Sequence, residues 1–358
     1  MHGSLAKVTS VEQLAVHRAL RVDHAVQRWR ARRARDAGYT AEVAPYTGYG
    51  STSWIRVLGR VLLTKRSRRR RAETPTGARG WRNFVSVPIE HADVIVHIGE
   101  RSYEVQADPS GIIDVVVDVD LEPGWHRIGL SSEGSDAATA LIFIVDPHTT
   151  FGVVSDVDDT VMVTALPRPL LAAWHTFVVN EHARATTPGM PVLYERLTSR
   201  HPGAPLIYLS TGAWNVAPTL TRFLSRNLYP AGALLLTDWG PTADSWFRSG
   251  REHKWRSLER LAREFPQIRW LLVGDDGQHD ESIYHDFVAR HPDHVSAVCI
   301  RQLTPGEAVL AGSSFRGHAS SSDSPVPWIY AADGAGLADK LERIGMLHSA
   351  PQQPEVEA

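Results

Sequence analysis

The sequence predicts an α/β protein, a doubly wound parallel sheet preceded by a small all-β sandwich. Two observations predict it. From Thr150 onward, the continuous apolar runs Gly152–Ser155, Leu206–Leu209, Ala233–Leu236, Trp270–Val273 and Ala297–Ile300 alternate with stretches of helical periodicity. Such runs suit strands buried on both faces of a parallel sheet by crossover helices. From Trp81 to Val145, short apolar segments are instead separated by turn-forming Asp108-Pro-Ser-Gly111, Glu122-Pro-Gly124 and Ser131-Ser-Glu-Gly134, the spacing of a sandwich. A chain of 358 residues with 43% apolar content is long enough for both.

The elements follow in order. Residues 1–36 place Val11, Leu14, Ala15, Ala19, Val22, Val26 and Trp29 at helical spacing among many arginines, which predicts a basic amphipathic helix. Residues 37–80 read as irregular and basic, with one strand at Trp54–Leu63 followed by Lys65, Arg66, Arg68, Arg69, Arg70 and Arg71. The sandwich occupies 81–148, with strands at Phe84–Val87, Val94–Ile98, Ile112–Val119, Trp125–Leu130 and Ala140–Val145. The wound domain occupies 149–347, with helices at Leu170–Glu181, Val192–Ser199, Val216–Asn227, Lys254–Glu264 and Gly336–Ile344 and a last strand at Trp328–Tyr330. Gly312–Pro327 is rich in Ser, Gly and Pro, and 348–358 reads as a disordered tail.

Composition narrows the function. A net charge of -2 argues against a nucleic-acid-coating protein, since that role needs a cationic surface. The single cysteine, Cys299, sits in an apolar run and reads as a buried strand residue. No stretch approaches the ~20 apolar residues of a membrane span, so the expectation is a cytoplasmic protein, at most peripheral to a membrane.

In an open α/β sheet, ligands bind at the carboxyl ends of the strands where strand order reverses. Asp156 and Asp158 follow the first predicted strand, Ser210 and Thr211 the second, and Asp275, Asp276 and Asp280 the fourth; Lys254 opens the helix before the fourth. Read singly, each also suits a cap or a solvated surface position. As a set they offer carboxylates for a hard cation, donors for phosphate oxygens, and a nucleophile with a separate proton carrier.

The order Asp156-x-Asp158-x-Thr160, then Ser210, then Lys254, then Gly274-Asp275 with Asp280, resembles the four-motif signature of the haloacid dehalogenase superfamily. More narrowly, Tyr208-Leu-Ser-Thr-Gly-Ala-Trp-Asn215, Leu236-Thr-Asp-Trp-Gly240 and Gly274-Asp-Asp-Gly-Gln-His-Asp280 resemble the catalytic domain of the actin-patch-type phosphatidate phosphatases, over about Thr150–Leu347. The resemblance implies a Mg²⁺-dependent phosphoric monoester hydrolase with Asp156 as nucleophile and Asp158 as general acid and base. It implies Mg²⁺ on the Asp156 side chain, the Asp158 carbonyl and Asp275. Lys254 offsets charge, Ser210 binds phosphate with Thr160, Thr211 and Gly212 beside it, and Asp280 and Asp276 support these groups from behind. His279 and His285 suit Mg²⁺ poorly, because it prefers oxygen ligands.

The interval Thr160–Leu206 is too short for an independent cap domain, so the site is expected to be open, which suits a large or surface-bound substrate. Phosphatidate is the implied substrate, and the basic residues from Lys65 to Arg71 are candidates for contact with an anionic membrane. Phosphoprotein or soluble phosphomonoester substrates are the alternative, and a non-catalytic membrane-binding adaptor is a second.

Overall fold

The computed structural model describes residues 29–65, 87–163, 185–237, 243–277, 279–304, 306–308 and 324–348. Most of the N-terminal helix, the basic residues Arg66 to Arg71, the helix expected at Leu170–Glu181 and the tail beyond residue 348 lie outside them. The chain divides into two compact units. The first takes in Met1–Tyr46, Arg56–Val117 and Arg127–Leu141; the second takes in Thr47–Ile55, Asp118–His126 and Ile142–Ala358.

The N-terminal strands are β1 (Tyr39–Pro45), β2 (Gly48–Ser51), β3 (Trp54–Lys65), β4 (Val87–Pro88), β5 (Asp93–Ile98), β6 (Arg101–Gln106), β7 (Ile112–Asp118), β8 (Gly124–Ser132) and β9 (Ala138–Val145). Within the first unit β1 runs antiparallel to β3, from Tyr39 opposite Lys65 to Pro45 opposite Gly59. There β5 pairs antiparallel with both β6 and β8. Alternation drives burial: Val94 and Val96 point into the core while Asp93 and Ile95 face out. Residues 39–45 and 48–51 were expected to be irregular and are strands, and β6 was not expected at all. Both β1 and β6 are held by partner strands, and Arg101-Ser-Tyr-Glu-Val-Gln106 is too polar to announce itself.

The second unit contains β10 (Phe151–Asp156), α1 (Met190–Arg200), β11 (Leu206–Ala213), α2 (Ala217–Arg226), β12 (Ala233–Thr237), α3 (Ala243–Glu264), β13 (Arg269–Asp275), α4 (Asp280–Arg290), β14 (Val295–Arg301), β15 (Trp328–Ala331) and α5 (Gly334–Arg343). Its strands form a six-stranded sheet in the order β12-β11-β10-β13-β14-β15, and every adjacent pair is parallel. The chain steps outward from β10 to β12, then crosses back to the other side of β10. The direction of winding therefore reverses between β10 and β13, whose carboxyl ends are Asp156 and Asp275. Trp270, Leu271, Leu272, Val153 and Val154 fill the sheet's interior, as a doubly covered parallel sheet requires.

Several boundaries differ from the sequence reading, among them the end of β11, which runs on past Leu209 to Ala213. Strands β10, β13 and β14 run on to Asp156, Asp275 and Arg301, because backbone pairing continues past the apolar run, as in Asp275 opposite Arg301. Helix α3 begins at Ala243, so Lys254 lies inside it and not at its start. Position in the helix interior, with the side chain reaching Asp156 and Asp280, is what buries a lysine that a helix start would leave in water.

Candidate active site

Lys254 is 4% exposed, and its ammonium group donates to Asp156 Oδ1 at 2.6 Å and to Asp280 Oδ1. A lysine is buried only when carboxylates compensate the lost hydration. Burial alone acts to lower its pKa, but Asp156 and Asp280 outweigh this and hold it above its ordinary range, so it stays charged. The Asp156 pKa is raised as well: burial pushes it up, Asp280 and Asp158 add to this, and Lys254 opposes them. Its Oδ2 is buried and has no hydrogen-bond partner among the described residues.

Asp158 Oδ2 accepts a 2.9 Å hydrogen bond from Ser210 Oγ. The local backbone explains the meeting. Strand β11 carries a register irregularity between Leu209 and Ala213, and bulges of this kind re-aim side chains beside active sites. Ser210 Oγ also accepts from the Gly212 amide at 2.9 Å, and Thr237 Oγ1, on β12, donates to the Thr211 and Gly212 carbonyls at 2.8 and 3.2 Å. Thr211 and Gly212 thus take part through their backbone, and Thr237, which the sequence reading did not single out, holds them.

Asp275 is fully buried, and its Oδ1 accepts from the Gly277 amide at 2.7 Å, a local turn that fixes the chain as it leaves β13. Burial raises its pKa, with Asp280 and Asp156 adding to the effect. Ligand atoms of Asp156, Asp275 and Asp280 all lie within 4.8 Å of one another. Three buried carboxylates against one ammonium leave excess negative charge, and Asp280 Oδ2 joins Asp156 Oδ2 in lacking a hydrogen-bond partner. This donor set fits a hard divalent cation. It also brings Asp280 into the same cluster as the two carboxylates expected as ligands, while Asp280 accepts from Lys254. Asp276 goes elsewhere: its Oδ1 accepts from the Leu303 amide at 2.8 Å.

The loop after β10 is a tight turn. The Val161 and Met162 amides donate to the Val157 carbonyl at 3.0 and 3.1 Å, and Asp159 takes a left-handed φ of 57°. Thr160 is fully buried, and its Oγ1 has no hydrogen-bond partner among the described residues. Tyr229 Oη donates to the Val161 carbonyl at 2.7 Å. Arg301, the last residue of β14, donates to the Asp159 carbonyl at 2.7 Å. The sequence reading passed over both; reading the carboxyl end of the fifth strand as it read the other ends would have found Arg301.

Residues 151–302 match the family model described as phosphatidate phosphatase APP1, catalytic domain. Phosphatidate phosphatase APP1 of Saccharomyces cerevisiae is 24% identical over 234 residues, covering 61% of this chain and 39% of that protein. An uncharacterized protein of Schizosaccharomyces pombe is 23% identical over 152 residues, covering 42% of this chain and 25% of its own length. The chain thus spans about two fifths or less of the curated relatives it matches. Among solved structures, a carbohydrate acetylesterase from Xanthomonas citri superposes with a TM-score of 0.26 at 9% identity, over 74% of this chain and 70% of that one, too slight a likeness to bear on function. The match begins at β10 and ends just past β14, and so contains the whole carboxylate and lysine cluster: residues 151–302 are similar to the catalytic domain of the APP1-type phosphatidate phosphatases.

Proposed function

We propose that this protein is a Mg²⁺-dependent phosphatase of the haloacid dehalogenase type, doubly wound around the six-stranded sheet, that converts phosphatidate to diacylglycerol through an aspartyl-phosphate. The observation that carries the reading is the buried Asp156 at the reversal of strand order, with Oδ1 held by Lys254 and Oδ2 without a hydrogen-bond partner among the described residues. One oxygen is oriented by a fixed positive charge while the other stays available, which suits a carboxylate that attacks phosphorus.

In the first half-reaction an Asp156 oxygen bonds to phosphorus as the bond to the alkoxide breaks, and Asp158 gives that oxygen its proton. In the second, Asp158 takes a proton from water, whose oxygen bonds to phosphorus and releases Asp156 and inorganic phosphate. Ser210, whose hydroxyl donates to Asp158 Oδ2, orients this proton carrier, and would turn that hydroxyl to a phosphoryl oxygen once Asp158 carries the proton. Lys254 opposes the burial that raises the Asp156 pKa and limits repulsion between its carboxylate and the incoming phosphate. Mg²⁺ would be held by Asp156, Asp275 and the Asp158 carbonyl, with Asp280 adjoining, and when bound supplies charge neutralisation for the phosphate. Lys65, exposed at the end of β3, is the one member of the basic run among the described residues, and contact of that run with an anionic membrane belongs to the same proposal.

The test compares Mg²⁺-dependent phosphate release from phosphatidate vesicles and from p-nitrophenyl phosphate, for the wild type and Asp156→Asn. The expected outcome is release from both by the wild type, faster from vesicles, and a fall of about 10³-fold or more in the variant. Hydrolysis of p-nitrophenyl phosphate alone would assign the site to a soluble ester, and unchanged hydrolysis by Asp156→Asn would remove the mechanism.

A further inference from the structure

Arg301 is 3% exposed, yet neither the carboxylate cluster nor the expected motifs use it. Its guanidinium serves three acceptors from different parts of the chain. Nη1 donates to the Asp159 carbonyl at 2.7 Å, Nη2 to Glu307 Oε1 at 2.7 Å, and Nε to the Ala332 carbonyl at 3.3 Å. Glu307 is fixed in turn, since its Oε2 accepts from the Thr304 amide and hydroxyl at 2.8 and 2.9 Å. The planar fork of an arginine can meet three such acceptors at once, whereas a lysine offers one point charge.

The carbonyl it grips is critically placed. Asp159 lies between the proposed proton carrier Asp158 and the buried Thr160, and it holds a left-handed φ of 57°, a region that non-glycine residues adopt only when their surroundings impose it. Its own amide donates to the Met162 carbonyl at 2.8 Å. With Arg301 on its carbonyl, the peptide planes on both sides of Asp159 are pinned, and these planes set where Asp158 and Thr160 point. Arg301 reaches this turn from β14, two strands away from β10.

We propose that Arg301, braced by Glu307, is a positioning residue that fixes the Asp158–Thr160 turn in its working conformation; this rests on the phosphatase reading above. Its effect falls on alignment in the transition state and not on the initial grip on substrate. The test uses the full chain, with p-nitrophenyl phosphate as substrate and vanadate, a mimic of five-coordinate phosphorus, as inhibitor. For Arg301→Met, kcat is expected to fall about 10- to 100-fold, as for misplacement of a catalytic group by about an ångström, with KM within about twofold. Vanadate affinity should fall by a factor close to the loss in kcat/KM. Arg301→Lys and Glu307→Gln should show smaller losses of the same pattern.

A merely structural role would reduce the amount of folded enzyme and leave the vanadate inhibition constant at the wild-type value; that result, or an unchanged kcat, overturns the proposal. If Arg301→Met does not fold, Glu307→Gln decides, and wild-type kcat and vanadate inhibition in it overturn the proposal. A wild type that hydrolyses no phosphate ester would instead remove the phosphatase reading, a result distinct from an active wild type with indifferent Arg301 variants.

Discussion

Between Val273 and Asp275 only a hydrogen atom fits on the α-carbon, because a Cβ at position 274 would lie 2.7 Å from Asp280 Oδ2 and 2.8 Å from Tyr284 Cε2. Tyr284 cannot give way, being fully buried with its hydroxyl bonded to the Val273 carbonyl at 3.0 Å. Asp280 must therefore yield in Gly274→Ala, loosening Lys254. We expect a stability loss of about 1–3 kcal/mol in urea unfolding and a fall in kcat of at least about tenfold; an unchanged kcat would mean that Asp280 does not govern Lys254. At Asp275 the sign of a pH effect can be worked out. Burial raises its pKa above the ordinary 3.8, so the folded protein binds this proton more tightly than the unfolded chain. Its contribution favours the fold at low pH and is lost as pH rises from 3.8 through the raised folded value. In metal-free protein Asp275→Asn should thus melt above the wild type near neutral pH, with the gap narrowing toward about pH 4. Melting curves across this range check the direction, and a gap that widens on acidification would contradict it.

At the scale of elements, the site depends on how β11 ends. A regular strand would carry Ser210 past Asp158 in strict alternation; the irregularity between Leu209 and Ala213 instead lets Ser210 Oγ meet both Asp158 and the Gly212 amide. Thr237 braces that irregular stretch from β12 through two carbonyls. Thr237→Val keeps the shape of the side chain but leaves both carbonyls short of a donor, at a cost of about 1–3 kcal/mol. The expected result is a lower melting temperature together with a several-fold lower kcat, and a kcat equal to the wild type would show that the strand end holds its form unaided. The sequence reading put Ser210 just past the end of its strand, whereas β11 runs on to Ala213; the bulge was out of reach, because its signal is a register between two strands and not a pattern within one.

At the scale of the whole molecule, three buried carboxylates lie together and two of them share one ammonium, an imbalance that a divalent cation relieves. A cation that binds only the folded protein stabilises it by mass action, about 2.7 kcal/mol at one hundred times its Kd. Mg²⁺ should therefore raise the wild-type melting temperature, and the increase should disappear in Asp275→Asn. An equal increase in both proteins would place the ion elsewhere.

Short apolar runs, each ending in a polar residue, determined by themselves the alternation of strand and helix in the second unit and the candidates Asp156, Asp158, Ser210 and Asp275, since burial between helix layers demands such runs whatever the sheet order. Tertiary structure alone decided which strands are neighbours, and so which of those candidates touch. It drew Asp280 into the carboxylate cluster, sent Asp276 to the Leu303 amide, and made the polar Arg101–Gln106 a strand by pairing it with β5. It also buried Lys254 and Arg301. In a one-dimensional reading a cation looks solvated, because the carboxylates and carbonyls that make its burial tolerable come from strands and turns distant in the chain.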